Sequence, residues 1–266
     1  MVKVPFLMAD TAGSCAQSFA AGLKEQYFTC KEAIHVYEWG RCTDEYLKDF
    51  IAQYCGKELA IGDSFADIVV KNLSSCPGAE YIKTHIGDIV LQTYPEVIEI
   101  FFLDVCKTSE INHAMTQLFS RGIPGKSIVI HQDFVHEWLP WIRVTMGYLH
   151  EYFEPIGNLM YSFVFLLKKE IPKEVLEYNV WEDLSFDKKV ECLERYNNCL
   201  QDGELLFINM AKALLYAHEA HYGEALTILQ NVIFKIDSVS SVWKPSRDAC
   251  LSMATEIQKM SAKTQR

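Results

Sequence analysis

The sequence lacks the features of several common protein classes. It has no surplus of positive charge, because 25 lysines and arginines stand against 35 aspartates and glutamates, for a net charge of −10. Such a chain, without basic runs interleaved with aromatic residues, is a poor candidate for a nucleic acid partner. No apolar run approaches the roughly 20 residues of a membrane helix, and FVFLL at 163–167 has only five. We therefore expect a soluble cytoplasmic protein with no nucleic acid and no membrane as partner.

Disulfide and motif signatures are also missing. The nine cysteines form no CxxC pair, and their number is odd. A chain of 266 residues can bury a sizeable core without disulfides, so we interpret the cysteines as reduced thiols of a cytosolic protein. No GxSxG, HExxH, Walker or GxGxxG sequence is present. The hydrolase, zinc protease, P-loop and plain dinucleotide-binding classes therefore have no motif support.

What the sequence does contain is an alternation of strand and helix patterns. Apolar segments typical of strands are found at 4–9, 33–38, 80–88, 98–104 and 126–133, and helical spacing is found at 11–26, 44–55, 64–75, 110–122 and after Pro140. Segment 152–169 indicates two further strands, with a turn expected at Gly157-Asn158. This order predicts an α/β domain over residues 1–170, with a mostly parallel sheet that ends in an antiparallel hairpin.

Beyond Pro172 the pattern becomes helical, which predicts an α-helical extension over 171–266. One pair of its helices has the small and aromatic residues of a single tetratricopeptide-like hairpin: Ala213, Tyr216, Tyr222, Ala225 and Leu229. Such repeats need about three copies to be stable alone. We therefore favour an extension that packs on the sheet domain or on another subunit.

Two predicted strands end in polar residues. The segment IEIFFLD ends at Asp104, and SIVIHQD ends at His131, Gln132 and Asp133. Ligands of α/β proteins bind at the carboxyl ends of parallel strands. These residues are therefore expected to belong to one site.

The order and spacing of these segments resemble a known family. A DTAGS turn follows the first strand, an acid ends the second, and IGD, LDVCKT and PGKSIVIHQD follow in turn. Over residues 4–168 this is similar to class I S-adenosylmethionine-dependent methyltransferases, and most of all to the macrocin O-methyltransferase type, which acts on sugars of natural products. The resemblance implies a Rossmann-like methyltransferase fold, S-adenosyl-L-methionine as cofactor, a small hydroxylated acceptor such as a sugar, and a homo-oligomer.

The resemblance also assigns the cofactor-binding residues. Asp10, Gly13 and Ser14 match the turn after the first strand, where the family is richer in glycine. Glu38 matches the acid that accepts both ribose hydroxyls, and Asp88 matches the acid beside the adenine. The alternative is that Glu38 and Asp88 are ordinary residues of surface turns.

Sugar-modifying members of the family hold a divalent metal such as Mg²⁺ near the acceptor. Asp104 and Asp133 match its ligands, and Gln132 stands where the family often has a second acid. Oxygen ligands suit such a cation, which acidifies a bound hydroxyl. The alternative is an ion pair between Lys107 and Asp104 that excludes the metal.

Three basic side chains are candidates for the catalytic base: His131, His136 and Lys107. A histidine of near-neutral pKa can take a hydroxyl proton, whereas a lysine needs its pKa lowered. The alternatives are a histidine satisfied within the core and a solvated lysine. Two other functions also stay open: a non-catalytic protein that keeps the methyltransferase fold, and an interaction module that uses the C-terminal helices.

Overall fold

The structure is a computed structural model that describes residues 6–9, 14–159 and 161–264. It is an α/β protein and divides into two compact units. The first contains the described residues up to Val105 together with Arg121–Ile130. The second contains Cys106–Ser120 and the described residues from His131 onward. The predicted regions 1–170 and 171–266 are divisions of the sequence and stay a prediction.

The first unit is built from strands that alternate with helices. In chain order these are β1 (Phe6–Ala9), α1 (Ser14–Glu25), β2 (Ile34–Glu38), α2 (Glu45–Cys55), α3 (Ala66–Ser75), β3 (Ile82–Ile86), β4 (Ile100–Leu103) and β5 (Ile128–His131), whose last residue belongs to the second unit. The strand order is β3-β2-β1-β4-β5, with parallel pairing of the first four. The amide of Ile128 donates to the carbonyl of Glu99 over 2.8 Å beside β5.

The parallel strands share one register at their carboxyl ends. Ala9 of β1 is level with Tyr37 of β2 and with Leu103 of β4. Tyr37 is in turn level with His85 of β3. The residues that follow these positions therefore leave the sheet along one edge, as the alternation of the sequence predicts.

Amphipathic helices form the core of the first unit. Their apolar side chains pack with those of β2 and β4 in one cluster: Ala16, Ala20, Ile34, Val36, Ile51, Phe65, Val69, Leu73, Tyr81 and Phe102. The helix α2 has defined ends, since Asp44 accepts from the Leu47 amide over 2.9 Å and Gly56 ends it with a φ of 66°. These caps explain why the helical spacing of the sequence begins and stops there.

A stack of aromatic rings covers part of β2 and β3. His35 Nδ1 and His85 Nε2 lie 3.2 Å apart, and the ring of Tyr37 lies 4.4 Å from that of His85. Tyr94 continues the stack, with its ring 4.5 Å from Tyr37. Burial, the neighbouring His85 and the charge of Lys83 lower the pKa of His35 to about 4, and Glu32 opposes them.

This stack predicts a dependence of stability on pH. The pKa of His35 is about 4 in the folded chain and has its ordinary value of 6.5 in the unfolded chain. Between these two pH values the unfolded chain therefore binds more protons than the folded chain. Its contribution to the free energy of unfolding is complete above pH 6.5 and is lost as the pH falls towards 4. We expect urea unfolding of a His35→Gln variant to show a weaker fall over this range than the wild type.

The matched control is His113→Gln, which changes a partly exposed histidine outside this stack. This variant should keep the pH profile of the wild type. If both variants flatten the profile equally, or if neither does, the assignment of the effect to His35 is wrong.

The second unit is mostly helical. It contains α4 (Ser109–Gln117), α5 (Pro140–Tyr148), β6 (Phe153–Leu159), β7 (Ser162–Leu167), α6 (Lys173–Glu177), α7 (Val180–Asp183), α8 (Phe186–Glu194), α9 (Asp202–His218), α10 (Tyr222–Ile236) and α11 (Arg247–Thr264). The described residues after β7 form helices and no strand, which confirms the helical pattern beyond Pro172. Within the described part of the chain, no helix is long and apolar enough to cross a membrane.

The predicted turn at Gly157-Asn158 is wrong. Both residues lie within β6, which pairs antiparallel with β7, and the pairing of Leu159 with Ser162 places the turn between those two residues. The register shifts between Pro155 and Gly157. A flexible glycine suits such an irregularity in a strand as well as it suits a turn, so the dipeptide was ambiguous.

A buried arginine joins α5 to α8 and to the segment that follows α8. Arg143 is 1% exposed; its Nε donates to the carbonyl of Leu193 over 2.8 Å, and its Nη2 donates to Asn197 Oδ1 over 2.9 Å. The guanidinium also lies 4.8 Å from the centre of the Phe134 ring. Its Nη1 has no hydrogen-bond partner among the described residues, and burial lowers the pKa of Arg143 to about 9.

Helix α5 also approaches α8 closely at a glycine. A Cβ added to Gly147 would lie 2.0 Å from the carbonyl oxygen of Cys192, which is far inside contact distance. Glycine at this position therefore lets the two backbones touch. Two residues earlier, Thr145 accepts a hydrogen bond from Asn112 Nδ2 of α4 over 2.9 Å.

The last three helices share a core of their own. Twelve buried residues form it: Leu206, Met210, Ala213, Leu214, Ala217, Ala225, Leu229, Val232, Ile236, Cys250, Met253 and Ile257. Tyr216 and Tyr222 pack against it. The predicted hairpin of α9 and α10 is therefore present, and α11 completes its core. All nine cysteines are free thiols.

Candidate functional site

The carboxyl edge of the sheet in the first unit brings two predicted cofactor residues together. Glu38 is the last residue of β2, and its carbonyl accepts a hydrogen bond from the Gly87 amide over 3.0 Å. Asp88 follows Gly87 directly. Since Gly87 is the first residue after β3, both carboxylates belong to neighbouring strand ends, as the sequence predicts.

Glu38 has a constrained carboxylate. The residue is 8% exposed, and its Oε1 accepts from the Gly40 amide over 3.1 Å. Gly40 has a φ of +66°, and an added Cβ would lie 3.1 Å from the Cβ of Ala66, so this tight turn requires glycine.

Asp88 stands beside an exposed apolar surface. Its carboxylate accepts from the Val90 amide over 3.0 Å and begins a short 3₁₀ turn. Val90 is 52% exposed and Leu91 is 80% exposed, while Trp39, which follows Glu38, is 51% exposed. Side chains of this kind are usually buried. Their exposure next to two carboxylates suits a flat, partly polar ring such as a purine.

Asp104 follows β4 directly and is 8% exposed. Leu103 and Tyr37 are level with the same residue of β1, so Asp104 and Glu38 follow equivalent positions two strands apart. With about 4.8 Å between strands, their backbones are roughly 10 Å apart. That span suits a nucleoside-sized ligand better than a metal ion bound by both.

The turn between β1 and α1 lies mostly outside the described residues. Asp10 and Gly13 are among those not described, so their predicted contacts with the cofactor stay predictions. Ser14 is the first residue of α1. The helix therefore begins directly after the segment that the resemblance assigns to the cofactor.

The second unit contains the predicted basic residues and two of the predicted metal ligands. Lys107 Nζ forms an ion pair with Asp133 Oδ2. Gln132 is half-buried, and His131 is 1% exposed with no hydrogen-bond partner for Nδ1 among the described residues. Burial lowers the pKa of His131 to about 4, with Asp133 and Lys107 acting in opposite directions. His131 is therefore neutral near pH 7.

His136 has a defined hydrogen-bonding pattern. Its Nδ1 accepts from the Trp138 amide over 3.2 Å, so the neutral ring has its proton on Nε2. In this tautomer the side chain offers a donor rather than a base. Its Nδ1 also lies 3.5 Å from Oε2 of Glu137.

Three residues of this region were missed by sequence reasoning. Glu137 is 8% exposed, and its Oε2 has no hydrogen-bond partner among the described residues; the same holds for the buried Nε1 of Trp243. The ring of Tyr161 lies 4.7 Å from Trp243 and 5.5 Å from His136. Burial raises the pKa of Tyr161 to about 12, and the charges of Glu137 and Asp133 add to the effect.

Only one of these residues carried a signal in the sequence. Glu137 directly follows His136, a predicted site residue, and this proximity in sequence is its signal. Tyr161 lies next to a hairpin turn that was predicted elsewhere, and Trp243 lies more than 80 residues further along the chain. Neither could be placed here without the fold.

One predicted metal ligand already has a cationic partner. Among the described residues, no group of three or more histidine, cysteine, aspartate or glutamate side chains could hold a metal ion. Asp133 is already paired with the positive charge of Lys107. The magnesium site of Asp104, Asp133 and Gln132 stays a prediction that this pairing does not favour.

Comparisons with protein-family models, with curated proteins and with solved structures gave no match.

Proposed function

We propose that the chain is an S-adenosylmethionine-dependent O-methyltransferase with a Rossmann-like fold, and that it acts on a hydroxyl group of a small molecule such as a sugar. The strand-end edge of the first unit supports this most. Glu38, Asp88 and Asp104 follow parallel strands of order β3-β2-β1-β4, and Glu38 and Asp104 follow level positions. Sheets of this kind bind nucleoside-like ligands at this edge.

The residues of that edge suit the adenosine part of the cofactor. Glu38 would accept hydrogen bonds from the ribose hydroxyls, and Asp88 would accept one from the adenine amino group. Trp39, Val90 and Leu91 supply exposed apolar surface for the ring. The mixture of a few acceptors with apolar walls is typical of cofactor sites.

When bound, S-adenosylmethionine supplies a methyl group on a sulfonium, and this group moves to the acceptor oxygen while the hydroxyl releases its proton. Of the three candidate bases, His131 has a ring nitrogen, Nδ1, without a hydrogen-bond partner among the described residues. Lys107 is paired with Asp133, and Nδ1 of His136 already accepts a hydrogen bond from the Trp138 amide. The chemistry of the side chains therefore favours His131 as the proton acceptor.

A second candidate function is a non-catalytic protein of the same fold. The ion pair of Lys107 and Asp133 favours it, because that pair occupies groups assigned to the metal and to the base. The burial of His131 points the same way, since a base must reach its substrate. Such a protein would bind the cofactor without turnover.

Isothermal titration calorimetry tests the proposal. We expect S-adenosylmethionine and S-adenosylhomocysteine to bind with micromolar dissociation constants, whereas ATP, whose triphosphate adds negative charge beside three carboxylates, should bind far more weakly. Absence of heat with both sulfur nucleosides at millimolar concentration would refute both candidate functions. Binding without transfer of a labelled methyl group to a panel of sugars would favour the second.

A further inference from the structure

The helical hairpin of α9 and α10 has an open groove along one face. Two adjoining cavities of about 540 and 370 Å³ share Lys212 and Ile228 in their linings. The helices are joined by three residues, so positions equally far from the turn face each other. By this geometry Asn209 faces Asn231, and Lys212 faces Ile228.

One end of the groove is rich in hydrogen-bond donors. Asn209 and Lys212 of α9 and Asn231 and Lys235 of α10 line the smaller cavity. The side chains of Asn231 and Lys235 form no hydrogen bond or ion pair with described residues. Lys212 Nζ is 2.6 Å from Glu194 Oε1, so its charge is shared with α8. The ammonium of Lys235 is therefore the unmatched charge of this end.

The other end of the groove is less polar. Tyr216, Ile228 and Gly223 line the larger cavity together with Thr227, whose hydroxyl donates to the Gly223 carbonyl over 2.9 Å. Gly223 has no other group within 4 Å of the position of a Cβ, so the groove is open there. Glu224 lies at this end, 3.9 Å from His221 Nδ1. A ligand with a carboxylate at one end and an apolar side chain at the other matches the polar and the less polar ends of the groove.

From these features we propose that the groove binds an extended acidic peptide of a partner protein, with a carboxylate between Lys235 and Asn231 and an apolar side chain beside Tyr216. The thirteen residues from Gly223 to Lys235 span about 18 Å of helix, which is enough for roughly five extended residues. The net charge of the chain is −10, so the positive charge of Lys235 at one end of the groove also fixes the orientation in which an acidic peptide binds.

Fluorescence anisotropy with the full chain tests this binding. The probe is a fluorescein-labelled hexapeptide of alternating glutamate and leucine with a free terminal carboxylate. We expect saturable binding that weakens with salt, and a loss of affinity of about fivefold or more in Lys235→Glu, because repulsion replaces an ion pair. Asn231→Asp should weaken binding in the same direction.

The control variant is Lys263→Glu, which makes the same change of charge on α11, outside the groove. It should bind the probe as the wild type does. An equal loss in this variant would show that net charge alone decides the affinity and would overturn the proposal. Equal affinity for an amidated glutamine–leucine hexapeptide or for a single-stranded oligonucleotide would also overturn it. The same holds if the probe does not bind at 1 mM protein, a concentration that corresponds to a binding free energy of roughly 4 kcal/mol.

Discussion

An Arg143→Ala variant should lose about 3–5 kcal/mol of its free energy of unfolding, which is a large part of the stability of an ordinary domain. Two effects add. Removal of the guanidinium leaves the Leu193 carbonyl and Asn197 Oδ1 without their donors, and it opens a cavity beside Phe134. Chemical denaturation followed by circular dichroism measures the change.

Two further variants separate these effects. Arg143→Met fills most of the space and removes a buried charge, so we expect it to lose about 1–2 kcal/mol less than Arg143→Ala. Arg247→Ala removes an arginine that pairs with Asp237 on the surface and should change stability by less than about 0.5 kcal/mol. If Arg143→Ala is as mild as Arg247→Ala, the buried guanidinium does not stabilise the fold in this way.

A Glu38→Gln variant should bind S-adenosylmethionine about 30-fold more weakly than the wild type, a loss of ~2 kcal/mol. The amide keeps the shape of the side chain and can still accept from Gly40, but it loses the charge and one acceptor group. The loss should therefore appear in the dissociation constant from calorimetry. Stability should change less, because the fold of the turn is kept.

The matched control for Glu38 is Glu58→Gln, which changes an exposed glutamate of the same unit. Its cofactor affinity should equal that of the wild type. Unchanged affinity in Glu38→Gln, measured on a variant that unfolds at the wild-type denaturant concentration, would show that this carboxylate does not hold the ribose.

The sheet of the first unit was predictable because its signals are local. A short apolar run marks most of the strands, and one carboxylate ends β2 while another follows β4, so the sequence alone indicates that Glu38 and Asp104 leave the sheet at one edge. Pairing partners are not local. The partner of Lys107 is Asp133 across 26 positions, which no spacing rule could select.

The hairpin shows a second limit of sequence reasoning. Gly157-Asn158 has the composition of a tight turn, but the strand continues through it because Phe163 and Val164 pair with these two residues. Such pairing depends on tertiary contacts, which local propensity does not contain. The cluster of Glu137, Tyr161 and Trp243 was hidden for the same reason.

The contact at Gly147 restricts how this protein can evolve. Two helices meet there backbone to backbone, and any larger residue at that point would push against Cys192. Surface loops tolerate changes of length at small cost, whereas an insertion upstream in the same helix would rotate a bulkier neighbour into the contact. Divergent copies of the gene should therefore conserve the spacing between this glycine and Arg143 more strictly than they conserve the residues of either helix surface.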